Sequence, residues 1–186
     1  MEEVNKLTLQ DFQNMLQGSS EVKASRYELG DAARPVVVHL IYCEGMIQSF
    51  QINDIILPRL ERVLPDIDEG RRLDARMNAT RIGKSSKIDR MIFSGLLILL
   101  FEATGEAYAV DISDVPKRMP QESNAEISIK GPRDAFVEEL ISNIALVRKR
   151  LRSSSLCTER FTIGARSMTN VALLYIKDIA KPEIVE

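Results

Sequence analysis

The chain contains a single histidine, His39, within the apolar run VVVHLIYC. Histidine is a frequent general base, but such catalysis also needs a nucleophile or a substrate pocket beside the imidazole. No Ser/His/Asp or Cys/His arrangement can be assembled around this one histidine. We therefore interpret His39 as a sheet residue that has a hydrogen-bond partner or faces solvent, and we predict no catalytic residues and no enzymatic activity.

Two cysteines, Cys43 and Cys157, are the other residues that could bind a metal or form a disulfide. They are isolated from each other in the sequence, so the ligand spacing of a zinc site is missing. Two distant cysteines also provide no disulfide framework and are typical of a reducing compartment. We predict no metal site and no cofactor.

The tripeptide Gly83-Lys84-Ser85 is similar to the end of a phosphate-binding loop. That motif requires a glycine five residues before Gly83, where this chain has Asn78, and a strand leading into the loop. No such strand is predicted here. We interpret the tripeptide as part of a basic loop.

Two basic clusters are further candidates for anion binding. The run Arg148–Arg152 could bind phospholipid head groups beside a membrane, although a solvated helix end that complements the helix dipole is the simpler interpretation. The second cluster, within residues 71–87, is balanced by acidic neighbours. A net charge of −2, 5% aromatic residues and no tryptophan argue against a nucleic-acid binder.

Size and hydropathy indicate a soluble chain with a core. Its 186 residues are 45% hydrophobic and 28% charged, which is ordinary for a globular protein. The first residues, MEEVNKLTLQDF, are too polar and acidic for a signal peptide. The longest apolar run, Gly95–Phe101, is far shorter than the about 20 residues that span a bilayer.

Residues 1–113 are predicted to form a first α/β subdomain. Thr8 and Asp11 have the spacing of a capping box that opens a short helix. The other predicted elements are strands at 22–29, 35–43, 96–101 and 107–112 and helices at 52–64 and 88–94. Pro58 should kink the second helix or begin a second turn of helix. Residues 65–87 give no decisive pattern, and residues 114–131 are predicted to be a linker.

An amphipathic linking helix is predicted at residues 132–152. Pro132 suits the first helical position, and acidic residues near the start and basic residues near the end have the order that the helix dipole favours. The apolar residues recur every three or four positions and form one wide face: Phe136, Val137, Leu140, Ile141, Ile144, Val147 and Leu151. This helix must pack against other elements.

An internal repeat relates the two ends of the chain. Residues Arg26–Gly30 and the apolar strand that ends near Tyr42 recur as Arg160–Gly164 and the strand that contains Tyr175. The second copy is one residue shorter between glycine and tyrosine. We predict an α/β fold with two small related subdomains, each a mixed sheet with flanking helices. The second, at residues 153–186, is incomplete in this chain.

Three segments, GPRDAF, NIALVRKRL and IGARSMTNVALLYIKDIA, carry a family resemblance. They resemble the soluble N-terminal domain of the A subunit of bacterial spore germinant receptors, the GerA family. Asp134 and Lys149 depart mildly from the pattern. The residues that fit it are Gly131, Pro132, Arg133, Asn143, Leu146, Arg148, Arg150, Gly164, Arg166, Thr169 and Tyr175. The resemblance brings no catalytic motif, so these residues are expected to be architectural.

The resemblance implies a domain on the cytosolic side of the spore inner membrane. The A subunit of this family continues into transmembrane helices, works with B and C subunits, and responds to nutrients such as amino acids or sugars by triggering ion release. The expected role is therefore receptor assembly and transmission of the nutrient signal, with other receptor subunits, including further A subunits, as partners. The alternative is a small-molecule binding domain whose germinant lies between the two subdomains. The candidate interaction residues are Arg133, Asn143, Ile144, Arg148, Arg150 and Arg166.

Overall fold

The computed structural model describes residues 6–68, 73–84, 86–114 and 136–185, without the side chains of residues 65–68, 74 and 75. The strands of this part of the chain are β1 (Val22–Leu29), β2 (Val36–Cys43), β3 (Ala79–Ile82), β4 (Leu96–Phe101), β5 (Ala107–Asp111), β6 (Leu156–Ile163) and β7 (Thr169–Ile176). The helices are α1 (Leu9–Met15), α2 (Leu57–Asp68), α3 (Leu73–Met77), α4 (Ile88–Ile92), α5 (Leu140–Arg150) and α6 (Pro182–Val185), with a π-helical turn at Ile52–Ile56 before α2.

Strands β1 to β5 form one antiparallel sheet in the order β1-β2-β4-β5-β3. Successive residues of its central strands point to opposite faces, and both faces are buried. Leu40 and Leu99 belong to a hydrophobic cluster that includes residues of the π turn, α2 and α3. Ile41 and Ile98 belong to a second cluster that includes residues of α1, α4 and α5. Helices therefore cover both faces of the sheet, and the predicted α/β fold is confirmed.

Several local predictions are confirmed by these elements. Thr8 Oγ1 accepts from the Asp11 amide at 3.2 Å while Asp11 Oδ2 accepts from the Thr8 amide at 2.9 Å, which is the predicted capping box. The strand predictions agree with β1, β2, β4 and β5 to within about a residue. The prediction of mixed sheets is not met, since both sheets are antiparallel. Hairpins join β1 to β2, β4 to β5 and β6 to β7, and the pairs β2–β4 and β3–β5 are antiparallel as well.

The predicted helix at 52–64 is divided at Pro58. The preceding π turn ends with a bond from the Leu57 amide to the Ile52 carbonyl, and α2 begins at Leu57. Proline has no N–H to donate, and the first turn of a helix tolerates this loss best. Pro58 therefore lies in the first turn of α2, directly after the π turn, which agrees with the prediction that a second turn of helix begins there.

Residues 65–87, left undecided by the sequence, contain α3 and the edge strand β3. Strand β3 has four residues, and the side chains of Thr80 and Arg81 in its middle are exposed. A strand this short has too few alternating positions to give a period-two pattern. Pairing with β5 determines its structure.

The linking helix begins later than predicted. Helix α5 spans Leu140–Arg150, while residues 136–139 are not helical and Pro132 lies outside the described residues. The side chain of Asn143 bonds to both the amide and the carbonyl of Val137, each at 2.7 Å, and these bonds hold the chain outside the helix. Phe136, Val137 and Leu151 are 72%, 48% and 47% exposed, so their predicted place on the buried face is wrong.

Strands β6 and β7 form a separate hairpin whose register matches that of β1 and β2. Leu29 pairs with Val36 across residues 30–35, and Ile163 pairs with Thr169 across residues 164–168. The one-residue difference between the copies therefore lies in the turn. Tyr42 pairs with Lys23, and Tyr175 pairs with Cys157. Lys23 and Cys157 are equivalent positions, because each lies three residues before the arginine that begins its copy of the repeat. Most of the predicted linker, residues 115–131, lies outside the described residues.

Candidate functional site

The guanidinium group of Arg148 is fully buried beside helix α5. Its Nε donates to Glu21 Oε1 at 2.8 Å, and its Nη2 donates to the same oxygen. Nη1 donates to the Ser153 carbonyl at 2.7 Å and Nη2 to the Leu156 carbonyl at 2.9 Å. The carbon of the guanidinium lies 3.9 Å from the centre of the Phe93 ring, a cation–π contact.

These partners come from separate parts of the fold. Glu21 immediately precedes β1, Phe93 follows α4, Ser153 lies after α5, and Leu156 begins β6. Glu21 is also fully buried, so the pair is shielded from water. A buried ion pair is costly to break because the partner that remains is an uncompensated charge. Arg148 therefore joins the five-stranded sheet, α5 and the second hairpin at one point.

The prediction of a solvated helix end is wrong for Arg148. In α5, residues four apart lie on the same face, and Arg148 is four residues after Ile144, which is 1% exposed. Ala145 is buried on the same side. Arg148 therefore lies on the buried face of α5, where its side chain contacts Glu21. Arg150 is exposed.

The other candidate interaction residues are dispersed. Ile144 lies on the buried face of α5 next to Arg148, and Asn143 holds the segment before the helix. Arg166 is exposed in the turn between β6 and β7. Arg133 lies outside the described residues. The structure thus brings together Ile144 and Arg148, but it does not form one surface from the whole set.

A second contact joins the loop before β1 to β6. The Thr158 amide donates to the Gly18 carbonyl at 2.7 Å, and the Ser20 amide donates to the Thr158 carbonyl at 3.2 Å. Gly18 has a φ of +84°, and a Cβ at this position would lie 2.8 Å from Cys157 Sγ. Glycine therefore permits the close approach. We call the line of contact between residues 18–21 and β6 the seam.

Side chains extend the seam along β6. Arg160 Nη1 donates to Glu44 Oε2 at 3.0 Å, and Lys23 Nζ lies 3.8 Å from the same oxygen. A groove of about 410 Å³ follows the seam and is lined by residues 16, 18–20 and 158–161. This groove is the cavity that lies between the loop before β1 and the second hairpin.

His39 has the hydrogen-bonded environment predicted for it. Its Nε2 lies 2.7 Å from Glu102 Oε2, and Arg26 Nε lies 3.8 Å from that oxygen. A cavity of about 330 Å³ lies beside Glu102, and its walls are mostly apolar side chains of β2, β4, α2 and α3. The Glu102 carboxylate is thus engaged in local pairs at the rim of this cavity.

The two cysteines are free and buried. Burial raises the pKa of the Cys43 thiol to about 12, and the nearby Glu21 carboxylate acts in the same direction. The thiol is therefore protonated at neutral pH and is a poor nucleophile. No group of three or more His, Cys, Asp or Glu residues in the described ranges could hold a metal ion.

A family model for the Bacillus/Clostridium GerA spore germination protein matches residues 10–186. The chain belongs to the GerA family. Spore germination protein XA of Bacillus anthracis is 32% identical over 176 residues, which are 91% of this chain and 36% of that protein. Stage V sporulation protein AF of Bacillus subtilis is 36% identical over 123 residues, or 66% of this chain and 24% of that protein.

A solved structure shares the fold of this GerA chain. The crystal structure of the N-terminal domain of the A subunit of the Bacillus megaterium spore germinant receptor GerK3 matches 98% of this chain and 70% of that one. The TM-score is 0.70 at 21% sequence identity. The resemblance to germinant-receptor A subunits in the sequence analysis is confirmed, and this GerA chain spans only about a third or less of the two curated relatives. Among its described helices, none is long and apolar enough to cross a membrane.

Sequence reasoning missed most partners in the site of this GerA chain. Glu21 is one acidic residue in a polar loop, and its partner Arg148 is 127 positions away. Phe93 and the two carbonyl groups carry no pattern that marks them as guanidinium ligands. The one available signal is the phase of α5, which places Arg148 on the same stripe as Ile144.

Proposed function

We propose that this chain is the N-terminal domain of a germinant-receptor A subunit that acts in receptor assembly and in transmitting the nutrient signal for germination. The observation that carries this proposal is the buried contact of Arg148 with Glu21, Phe93 and the start of β6. Such a contact couples the five-stranded sheet to the hairpin through α5. A displacement of the hairpin would then move α5 and the sheet with it.

The proposed architecture is two related units. The matched registers of β1–β2 and β6–β7 support a first subdomain at residues 1–113 and the start of a second at 153–186, joined by a linker and α5. The apolar side chains Phe161, Ile163, Val171 and Leu173 of the second hairpin are between 37% and 56% exposed. This surface is available to further protein.

The proposed partners are other receptor subunits, namely B, C and further A subunits, at the spore inner membrane with this domain on the cytosolic side. The relatives' names, which refer to spore germination, support a place in that process. We propose a non-enzymatic role, since the guanidinium group of Arg148 is engaged in contacts that hold the fold together.

An Ile144→Glu variant of the full-length receptor tests the assembly role. A carboxylate on the buried face of α5 should displace the helix, so we expect loss of the A subunit from spore membranes and loss of the response to nutrients. Ile55→Glu is the matched control, because Ile55 is 44% exposed. A variant with Glu at 144 that folds and assembles normally would show that α5 is not the packing element proposed here.

A small-molecule binding domain is the second candidate function, and the groove along the seam favours it. A germinant amino acid or sugar held between the two units would stabilise the folded chain by an amount that rises with the logarithm of its concentration relative to its dissociation constant. A thermal-shift series with amino acids and sugars measures this. A concentration-dependent rise in melting temperature for one compound supports this candidate, and a flat series excludes the compounds used.

A further inference from the structure

Arg160 in β6 has one edge of its guanidinium group without a partner. Its Nη1 donates to Glu44 Oε2 at 3.0 Å. Its Nε and Nη2 are buried and have no hydrogen-bond partner among the described residues. The side chain as a whole is 27% exposed, but the Nε and Nη2 atoms themselves have almost no contact with solvent.

The same edge of Arg148 shows what such a group binds. There, Nε and Nη2 together donate to one carboxylate oxygen, Oε1 of Glu21. The two N–H groups on this edge of a guanidinium point in parallel and match the oxygens of a carboxylate or a phosphate. Arg160 presents the equivalent edge within the seam, but no carboxylate of the described chain occupies it.

Three hydroxyl groups in the same seam are also buried without a hydrogen-bond partner among the described residues. They belong to the side chains of Ser19, Ser20 and Thr158. Ser19 is 7% exposed and Thr158 is 1% exposed. Buried polar groups are almost always hydrogen-bonded, because leaving them unpaired costs stability.

These four residues all line the groove of about 410 Å³ along the seam. Ser19 and Ser20 belong to the loop before β1, and Thr158 and Arg160 belong to β6. The remaining unpaired buried side-chain atom in the described ranges is Glu21 Oε2, whose residue does not line the groove. The residues that line the groove thus carry unpaired hydroxyl groups on both walls and unpaired N–H donors on the β6 wall, and these atoms lie just beneath the groove surface.

We propose that this groove is a binding site for a small oxyanion, a carboxylate or a phosphate. The Nε and Nη2 edge of Arg160 donates to two of its oxygens. The hydroxyl groups of Ser19 and Thr158 donate to the remaining lone pairs of those oxygens in a carboxylate, or to the other oxygens of a phosphate. The proposal rests on the second candidate function, binding between the two units, and names the class of ligand.

Binding should also strengthen the seam. The amides of Thr158 and Ser20 bridge the two walls through their bonds to Gly18 and Thr158. The binding atoms have almost no contact with solvent, so an anion enters when the walls separate transiently and is enclosed when they close again. A bound anion contacts both walls and makes their separation less frequent, so hydrogen exchange of the two amides should become slower when the site is filled.

The test is a titration of the 186-residue chain with sodium phosphate and, separately, sodium acetate, followed by amide NMR spectra. Sodium chloride of equal ionic strength is the reference. We expect saturable shifts centred on Ser19, Ser20 and Thr158, with slower exchange of the bridging amides. Saturation by phosphate alone identifies a phosphate site, saturation by acetate alone a carboxylate site, and saturation by both a general oxyanion site.

Two variants separate recognition from folding. Arg160→Lys keeps the charge but loses the parallel edge, so affinity should fall at least about tenfold, while Arg166→Lys in the exposed turn should leave it unchanged. Thr158→Val removes an unpaired hydroxyl group but keeps the shape, so it should weaken binding without lowering the melting temperature of the anion-free chain. If Arg160→Lys does not fold, the variant at 158 decides.

Two results would overturn the site. One is the absence of saturable shifts with either anion beyond the chloride reference. The other is equal affinity in the wild type and in the folded variants at 158 and 160. Neither result concerns assembly, since Ile144→Glu tests that role without any anion. A chain that binds no oxyanion but loses assembly with Glu at 144 would refute the site and leave the assembly role intact.

Discussion

At the scale of single residues, Arg148 contacts the loop before β1 and the start of β6, although its residue type alone does not distinguish it from the basic residues around it. Arg148, Lys149, Arg150 and Arg152 read as one basic run at a helix end. The phase of α5 directs only Arg148 toward the interior, and the fold supplies Glu21 from a loop far away in sequence. Periodicity could have indicated which arginine turns inward, but no local pattern could have identified its partner.

Replacing Arg148 by alanine should destabilise the chain strongly. Glu21 would remain as a buried charge without its cation, and such losses cost about 3–5 kcal/mol. Urea unfolding of the 186-residue chain measures the change. Arg152→Ala is the control, since Arg152 is exposed and should contribute less than about 1 kcal/mol. A loss below about 1 kcal/mol for the variant at 148 would contradict the importance given to this pair.

Ionisation of the buried Cys43 thiol should lower the free energy of unfolding at high pH. Burial raises its pKa from an ordinary value of 9.0 to about 12, so the folded chain holds this proton more tightly than the unfolded chain does. The resulting stabilisation is complete below pH 9 and is lost as pH rises toward 12. We expect the urea midpoint to fall more steeply between pH 9 and 11 in the wild type than in Cys43→Ser. Equal slopes would show that this thiol is not the titrating group.

At the scale of elements, the sequence predicts the helices and strands whose own residues contain the full pattern of a cap, a strand or a hairpin. The capping box of α1, the β-branched strand β2 and the hairpin of β4 and β5 each contain their own pattern, and each is confirmed. The start of α5 was predicted wrongly because the amide of Asn143 holds Val137 outside the helix. Strand β3 was missed because its place depends on pairing with β5.

Gly18→Ala should weaken the seam. The φ of +84° disfavours any side chain, and the added Cβ would lie 2.8 Å from Cys157 Sγ, so we expect a loss of about 1–3 kcal/mol. Gly83→Ala is the matched control, because a Cβ there has no heavy atom within 4 Å among its described surroundings. Thermal unfolding of both variants measures the difference. Equal melting temperatures would show that the seam tolerates a wider separation.

At the scale of the whole molecule, the internal repeat was the most informative prediction. Tyr42 and Tyr175 occupy equivalent positions in two hairpins of matched register, and the difference in length lies in the turn. The surroundings of the hairpins differ, however. Val38 and Leu40 are fully buried, whereas the equivalent residues Val171 and Leu173 are 37% and 38% exposed. Sequence similarity could relate the strands, but it could not reveal which surfaces of the second copy are covered.

We propose that the contacts of Arg148 couple the hairpin to the rest of the domain and that this coupling serves transmission of the germination signal. The most direct measurement is the nutrient-triggered germination rate of spores whose full-length receptor carries Arg148→Lys, with Arg152→Lys as control. Lysine keeps the charge but has one nitrogen in place of the three guanidinium nitrogens that contact Glu21, Ser153 and Leu156, so it loses this geometry. We expect the rate to fall at least about tenfold at 148 and to stay normal at 152. Wild-type germination with Lys at 148 would contradict the account.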